Sequence, residues 1–399
     1  MSVDLAPRIS NDRLLERIEK ARQTMADHGA KLAVIYAPPR ISSGGGGALH
    51  YLLGWVPANS ASLLILPTDQ PPLVFSAGPN TTRVFNQRLA GFGNARAYAG
   101  MPALTDMLVA ALDEFGAKGT IATFGANDMP VPLRTALDKS FPDQVKIDRP
   151  LNDLRLVRHT EEVELHQRGA EISVSMIQRV MELAASGSAT PADLMIEAEF
   201  TGRMGGADFA STWLATGERP PTTYFELFEL NPTLGPRDRI QMGTNVSVEG
   251  HYAQCLRTGV LSKPGQALLD CTDMLLDMQD AALAALVPGE PLHRIGDILE
   301  AMIDRYCPHE RSADPFRFQS CHALGINYAE PCCATALDPN RDRAGDADGP
   351  LVTENMVIEI HPNFTLPELG HVCAGDMALV TTTGARWITE YPRGLVRLD

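Results

Sequence analysis

A chain of 399 residues, 44% hydrophobic and 21% charged, has the makeup of a globular protein of two or three domains. The net charge of −15 excludes nucleic acid as an expected partner, because phosphate binding needs a basic surface. No apolar run approaches the ~20 residues that span a bilayer, and the start lacks a basic-then-apolar leader. A cytoplasmic location without a membrane partner is therefore expected. The seven cysteines are odd in number and scattered, which suits reduced thiols in that compartment.

The first 150 residues alternate helical and β-rich segments. Leu14, Leu15, Ile18, Ala21 and Met25 recur at helical spacing over 11–28, with Gly29 as the stop. Strands are predicted over 32–36, 61–66, 73–75, 95–99 and 120–124, and helices over 82–89, 103–115 and 133–141. Such alternation predicts a sheet with helices packed on it. Gly44–Gly47 is a run of four glycines, but no phosphate-binding Lys follows and 49–54 reads as a strand. A close-approach loop is the expectation there, not a nucleotide site. Arg40 and Trp55 flank the run as candidate contacts to a substrate.

A linker is predicted over 150–158. Helices follow over 160–185, with Glu161 and Glu162 in the first turn, and over 191–204. A strand is expected over 209–216, a β-hairpin over 243–261, helices over 265–286 and 292–306, and strands over 356–360 and 378–382.

Five segments carry a resemblance. They are Leu154-Arg155-Leu156-Val157-Arg158-His159-Thr160-Glu161-Glu162, His50–Gly54, and the stretches 243–258, 320–331 and 355–381. In this order they resemble the creatinase/aminopeptidase P family. The resemblance implies an α/β protein of two domains: an N-terminal creatinase-like domain over 1–153 and a C-terminal pita-bread α+β domain over 154–399. It further implies a homodimer in which the N-terminal domain of one subunit covers the site of the other. Metal-dependent members hold two divalent metals on Asp, Asp, His, Glu and Glu.

Carried over residue by residue, that ligand set is incomplete. Arg257-Thr258 matches the family's Arg-Thr, which puts Gln254 at the second Asp position. Counting forward from Gly243 puts Glu249 at the first Asp position, five residues before Gln254 instead of the family's eleven. The six missing residues are an even number, so Glu249 and Gln254 are expected to face each other across a four-residue turn, 250–253. Cys321-His322-Ala323-Leu324-Gly325 resembles the segment with the metal-binding His, and Val357-Ile358-Glu359-Ile360 the one with the first Glu. Gly375 stands at the second Glu position, beside Asp376.

Both bridging carboxylates are thus replaced, and no His lies between His166 and His251, where creatinase keeps one. His322, Glu359 and Glu249 become the expected catalytic residues, with a neutral imidazole taking a proton from water and a carboxylate orienting it. Arg257, Gln254, His361, Tyr224 and Glu330 are the expected substrate contacts, although an ion pair of Arg257 with Glu249 serves equally well. The expected activity is a metal-independent, creatinase-like hydrolysis of a C–N bond in a small molecule, with no cofactor. The alternatives are a metal-dependent Xaa-Pro dipeptidase-like hydrolase or lyase and a non-catalytic binding protein. A single zinc, manganese or iron would sit on Glu249, His322 and Glu359.

Overall fold

The computed structural model describes residues 8–39, 47–221, 226–306, 321–326 and 349–398. The chain divides into two units, Arg8–Arg155 and one that contains Leu156–Asp399.

In the first unit, α1 (Asn11–Asp27) buries Leu14, Ile18, Ala21 and Met25 along one stripe. It is followed by β1 (Leu32–Ala37), α2 (Gly47–Leu53), β2 (Ser62–Pro67), β3 (Leu73–Ala77), α3 (Gly78–Arg88) and β4 (Asn94–Tyr98). Then come α4 (Met101–Glu114), β5 (Ile121–Phe124), α5 (Val131–Ser140), β6 (Gln144–Lys146) and α6 (Asp148–Asp153). The strands form one sheet in the order β4-β3-β2-β1-β5-β6. β1 and β5 are parallel, as are β3 and β4, the latter pair joined through the helix α3.

Two expectations fail here. The segment read as a strand is the helix α2, and every one of its side chains is buried. A short segment that is apolar on all sides carries no period to separate helix from strand. The predicted linker opens inside α6, whose Leu151 is buried. Arg40 lies outside the described residues, and Trp55 packs edge-on against Phe85 with ring centroids 5.0 Å apart.

The second unit begins with α7 (Thr160–Ala185) and α8 (Pro191–Met204). Glu162 Oε2 accepts from His159 N at 3.0 Å and Asp193 Oδ2 from Thr190 N at 2.8 Å, so each helix start is capped from within. Next are β7 (Phe209–Gly217), β8 (Arg239–Val248), β9 (His251–Val260), α9 (Gln266–Ala285), α10 (Arg294–Tyr306) and β10 (Cys321–Ala323). The chain ends with β11 (Val357–Ile360), β12 (Asn363–Leu366), β13 (Gly370–Cys373), β14 (Asp376–Val380), β15 (Ala385–Trp387) and β16 (Leu395–Arg397).

Two four-stranded sheets result, β16-β9-β8-β7 and β10-β11-β14-β15, with β12 and β13 as a separate hairpin. The helix α7 lies on β8 and β9 at close range: a Cβ on Gly169 would stand 2.7 Å from the Cβ of Ala253. The other sheet packs on α9 and α10 through Leu275, Met278, Leu299, Ile358, Ile360 and Ala378, all buried in one apolar cluster. No helix among the described residues is long and apolar enough to cross a membrane.

The β8–β9 hairpin is tighter than expected. Val248 pairs with His251, so the turn is the two residues Glu249 and Gly250, both in the left-handed region with φ of 46° and 78°. Two residues at positive φ make the turn whose twist matches the strands. Gln254 therefore faces Asn245, and Glu249 sits at the tip of the hairpin, away from Gln254.

Candidate active site

Two strand edges create the candidate site. Leu256 on β9 pairs with Gly375 just before β14, exchanging N–H to O contacts of 3.0 and 3.3 Å, and this bridge joins the two sheets. Residues two apart on a strand share a face. One face of the joined surface thus carries Asn245 and Gln254, then Gly243 and Leu256, then Gly375 with Glu359 beside it. His322 on β10 is the direct partner of Glu359 on β11. His361, two residues beyond Glu359, brings its ring to 5.1 Å from that of His322, edge to face.

Glu359 is fully buried, and neither carboxyl oxygen has a hydrogen-bond partner among the described residues. Burial raises its pKa well above the ordinary carboxyl range, and the nearby Asp376 charge adds to this against the opposing Arg257. The group therefore tends to keep its proton. His361 shows the opposite shift: burial, then the neighbouring His322, pushes its pKa well down, so the ring is neutral. Its Nε2 is buried without a partner among the described residues. His322 Nδ1 donates to Ala323 O at 3.1 Å, which leaves Nε2 as the acceptor of that ring. Gln254 and Asn245 face each other with buried amide oxygens, Oε1 and Oδ1, that also lack partners among the described residues.

Arg257 has another task than the expected one. Its guanidinium donates to Asp376 at 2.7 and 3.2 Å and to the carbonyls of Leu256, Gly375, Tyr391 and Pro392 at 2.8 to 3.1 Å. Asp376 accepts further hydrogen bonds from Gln279 Nε2 and Thr389 Oγ1. With every nitrogen engaged and only 1% of its surface exposed, Arg257 is not available to a substrate carboxylate. The ion pair foreseen with Glu249 is made with Asp376 instead. Tyr224 and Glu330 lie outside the described residues. Two cysteines near the site are held as thiols: burial raises Cys373 to about 12, and Cys255 also moves upward.

Two residues that sequence reasoning passed over shape this face, and Asp376, named there without a role, lies behind it. Asn245 is the cross-strand partner of Gln254; Glu249-Gly250, read as a two-residue turn, would have fixed that register. Asp376 is the counter-ion of Arg257. Trp213 on β7 is the partner of Gly243, and its indole Nε1 lies 2.1 Å from where a Cβ on Gly243 would be.

Comparison with known proteins adds the family. The model of metallopeptidase family M24 matches residues 164–382, and that of the creatinase/prolidase N-terminal domain matches residues 17–157. An Xaa-Pro dipeptidase of Pyrococcus furiosus is 25% identical over 254 residues, which cover 63% of this chain and 68% of that protein. The prolidase structure from Pyrococcus horikoshii OT3 superposes with a TM-score of 0.75 at 17% identity, over 95% of this chain and 99% of that one. Aminopeptidase P from E. coli, solved with the inhibitor Pro-Leu, gives 0.70 at 16% identity, over 96% of each chain.

These matches support the pita-bread architecture, and the hydrolase reading stands at that level. They overturn the metal-independent creatinase-like function and the absence of a cofactor, because the family is one of metallopeptidases and the relatives are dipeptidases. Two metals on the ligand set given above nevertheless do not fit the residues of this chain. Counting eleven back from Gln254 in the observed register reaches Gly243, where the Trp213 indole fills the space. At the fifth position, a Cβ on Gly375 would meet Leu256 Cδ1 at 2.4 Å and Glu359 Oε1 at 2.9 Å. Among the described residues no group of three or more His, Cys, Asp or Glu is arranged to hold an ion. Among the described residues of this face, Glu359 and His322 are the adjacent pair that could face a cation.

Proposed function

Since this chain belongs to metallopeptidase family M24, whose model matches more than half of it, we propose that it hydrolyses the C–N bond of a short Xaa-Pro-type peptide. The observation that carries this reading is the cross-strand pair of His322 and Glu359, with the carboxyl of Glu359 buried and unmatched by any described donor. A buried polar group without a partner is costly, and a substrate atom that completes it recovers that cost.

The roles follow from protonation. Hydrolysis of an Xaa-Pro bond releases proline as a secondary amine, so its nitrogen must gain a proton as the C–N bond breaks. Glu359, which tends to keep its proton, supplies it from a carboxyl oxygen. His322 Nε2, left as the acceptor of its ring, takes the proton of the water whose oxygen bonds to the peptide carbonyl carbon as the C–N bond breaks, and neutral His361 stands beside it. Asn245 and Gln254 present two carboxamides on the same face, which hydrogen-bond the peptide group and hold it in register. A homodimer and a cytoplasmic location are parts of the proposal; sedimentation of the full chain as a monomer at working concentration removes the first.

The test is the release of free proline from a series of Xaa-Pro dipeptides by the full chain, with and without added divalent metal. Release from at least one dipeptide supports the proposal. Failure on all of them under both conditions rejects it.

A further inference from the structure

We propose that Arg158, at the entry to α7, is the positioning residue for His322: its guanidinium holds the carbonyl of Leu324 and thereby the peptide plane that orients the imidazole. The proposal rests on the reading of His322 as the proton acceptor in hydrolysis. Arg158 is only 2% exposed, so it acts through the backbone and not on the substrate.

β10 needs such a hold. It is three residues long and stands at the edge of its sheet, with β11 as its strand neighbour among the described residues. Pairing ends at Ala323, which faces Ile358. The His322 ring is set from the residue after it, because Nδ1 donates to Ala323 O at 3.1 Å. At the other end of that peptide unit, Leu324 N donates to Val357 O at 2.9 Å. A peptide unit is planar, so whatever turns Leu324 N also turns Ala323 O, and the imidazole follows.

Beyond β10 the chain is held from outside its sheet. Arg158 Nη2 donates to Leu324 O at 2.8 Å, from 166 residues away in sequence. Arg158 N donates to Asn355 O at 3.2 Å, just before β11, so one residue ties the strand of His322 to the strand of Glu359. Tyr252 N on β9 donates to Gly325 O at 2.8 Å, and Tyr252 O accepts from His166 Nδ1 at 2.8 Å. Leu324 is fully buried, so its carbonyl has no water to turn to in place of the guanidinium. Without that donor the carbonyl is left unmatched, and the chain turns about Leu324 toward another. A cation at this depth carries a desolvation cost that an apolar residue avoids, so packing alone does not account for Arg158.

The test is the imidazole nitrogen spectrum of the full chain with isotope-labelled histidine, at a pH above neutrality where imidazoles are uncharged. It is recorded for the wild type, Arg158→Met and Arg158→Lys, with His322→Gln to assign the His322 signal. The expected result is His322 protonated at Nδ1 in the wild type and a mixture of tautomers in Arg158→Met. Arg158→Lys, which keeps the charge but reaches less far, should lie between the two. The folded Arg158→Met chain should also lose kcat for proline release by about a hundredfold at unchanged KM, as for a displacement of about 1 Å, with part of it restored in Arg158→Lys. A role in stability alone would lower the unfolding temperature and leave the His322 tautomer and the kcat of the folded chain as in the wild type; that result overturns the proposal. If Arg158→Met does not fold, Arg158→Lys is read alone, and a wild-type His322 signal in it overturns the proposal. The spectrum does not depend on turnover: a wild type that releases no proline removes the proposed function, and the His322 signal still decides whether Arg158 holds the ring.

Discussion

Arg257 and Asp376 form a bidentate ion pair, at 2.7 and 3.2 Å, that is shut away from solvent beneath the joint between the two sheets. The arginine also holds the carbonyls on both sides of that joint, Leu256 and Gly375. Removing one member leaves the other charged and unpaired in the interior. Asp376→Asn should therefore lower stability by about 3–5 kcal/mol, read by urea unfolding. A variant of full stability with a raised KM would return Arg257 to the substrate.

Gly375 is closed to any side chain. Gly375→Ala puts a methyl group against Leu256 Cδ1 and Glu359 Oε1. A loss of about 1–3 kcal/mol is expected, as for overpacking in a dense core. Leu256→Ala in the same chain should return part of it; equal losses in the single and double variants, measured by thermal unfolding, would refute the contact.

Glu359 separates folding from chemistry. Its carboxyl tends to keep its proton, so Glu359→Gln replaces one neutral group with another of the same shape. Stability should stay within about 1 kcal/mol, while proline release falls about a hundredfold or more, as for loss of a general acid. An unstable but fully active variant would assign Glu359 to the fold alone.

Acid should destabilise the protein from about pH 6.5 downward. His371 is held at about 4 by burial and the neighbouring Arg239, and His166 is pushed well below its ordinary value by burial, His251 and Arg158. Both rings are neutral when folded and gain protons on unfolding, so the unfolded chain binds more protons as pH falls below 6.5. For His371 the loss reaches on the order of 3 kcal/mol near pH 4. Glu359, shifted upward, acts in the opposite direction: it favours the folded state toward low pH and opposes it as pH rises past 4.5. Unfolding free energies between pH 4 and 6.5 should show a positive slope, made shallower by His371→Gln. An unchanged slope in that variant would contradict this assignment.

Much of the architecture was legible because local rules and packing agree. α7 spans 160–185 as read, since its caps and its apolar stripe coincide. The β12–β13 hairpin went unseen because its strands are only four residues long and carry little alternation. In the site, His322 and Glu359 could be read from their motifs and do pair across strands. Glu249 could not be placed by counting, because its position depends on a two-residue turn that shifts the register of the whole hairpin. The roles of Gly243 and Gly375 depend on Trp213 and Leu256, which arrive from elsewhere in the fold, and no spacing rule reveals that.

The most direct test of the account is the rate of proline release from an Xaa-Pro dipeptide by the wild-type chain, Glu359→Gln and His322→Ala, with folding of each checked by circular dichroism. The account predicts measurable turnover for the wild type under at least one metal condition and its loss in both folded variants under that same condition. Undiminished turnover in both variants, or none in the wild type, contradicts it.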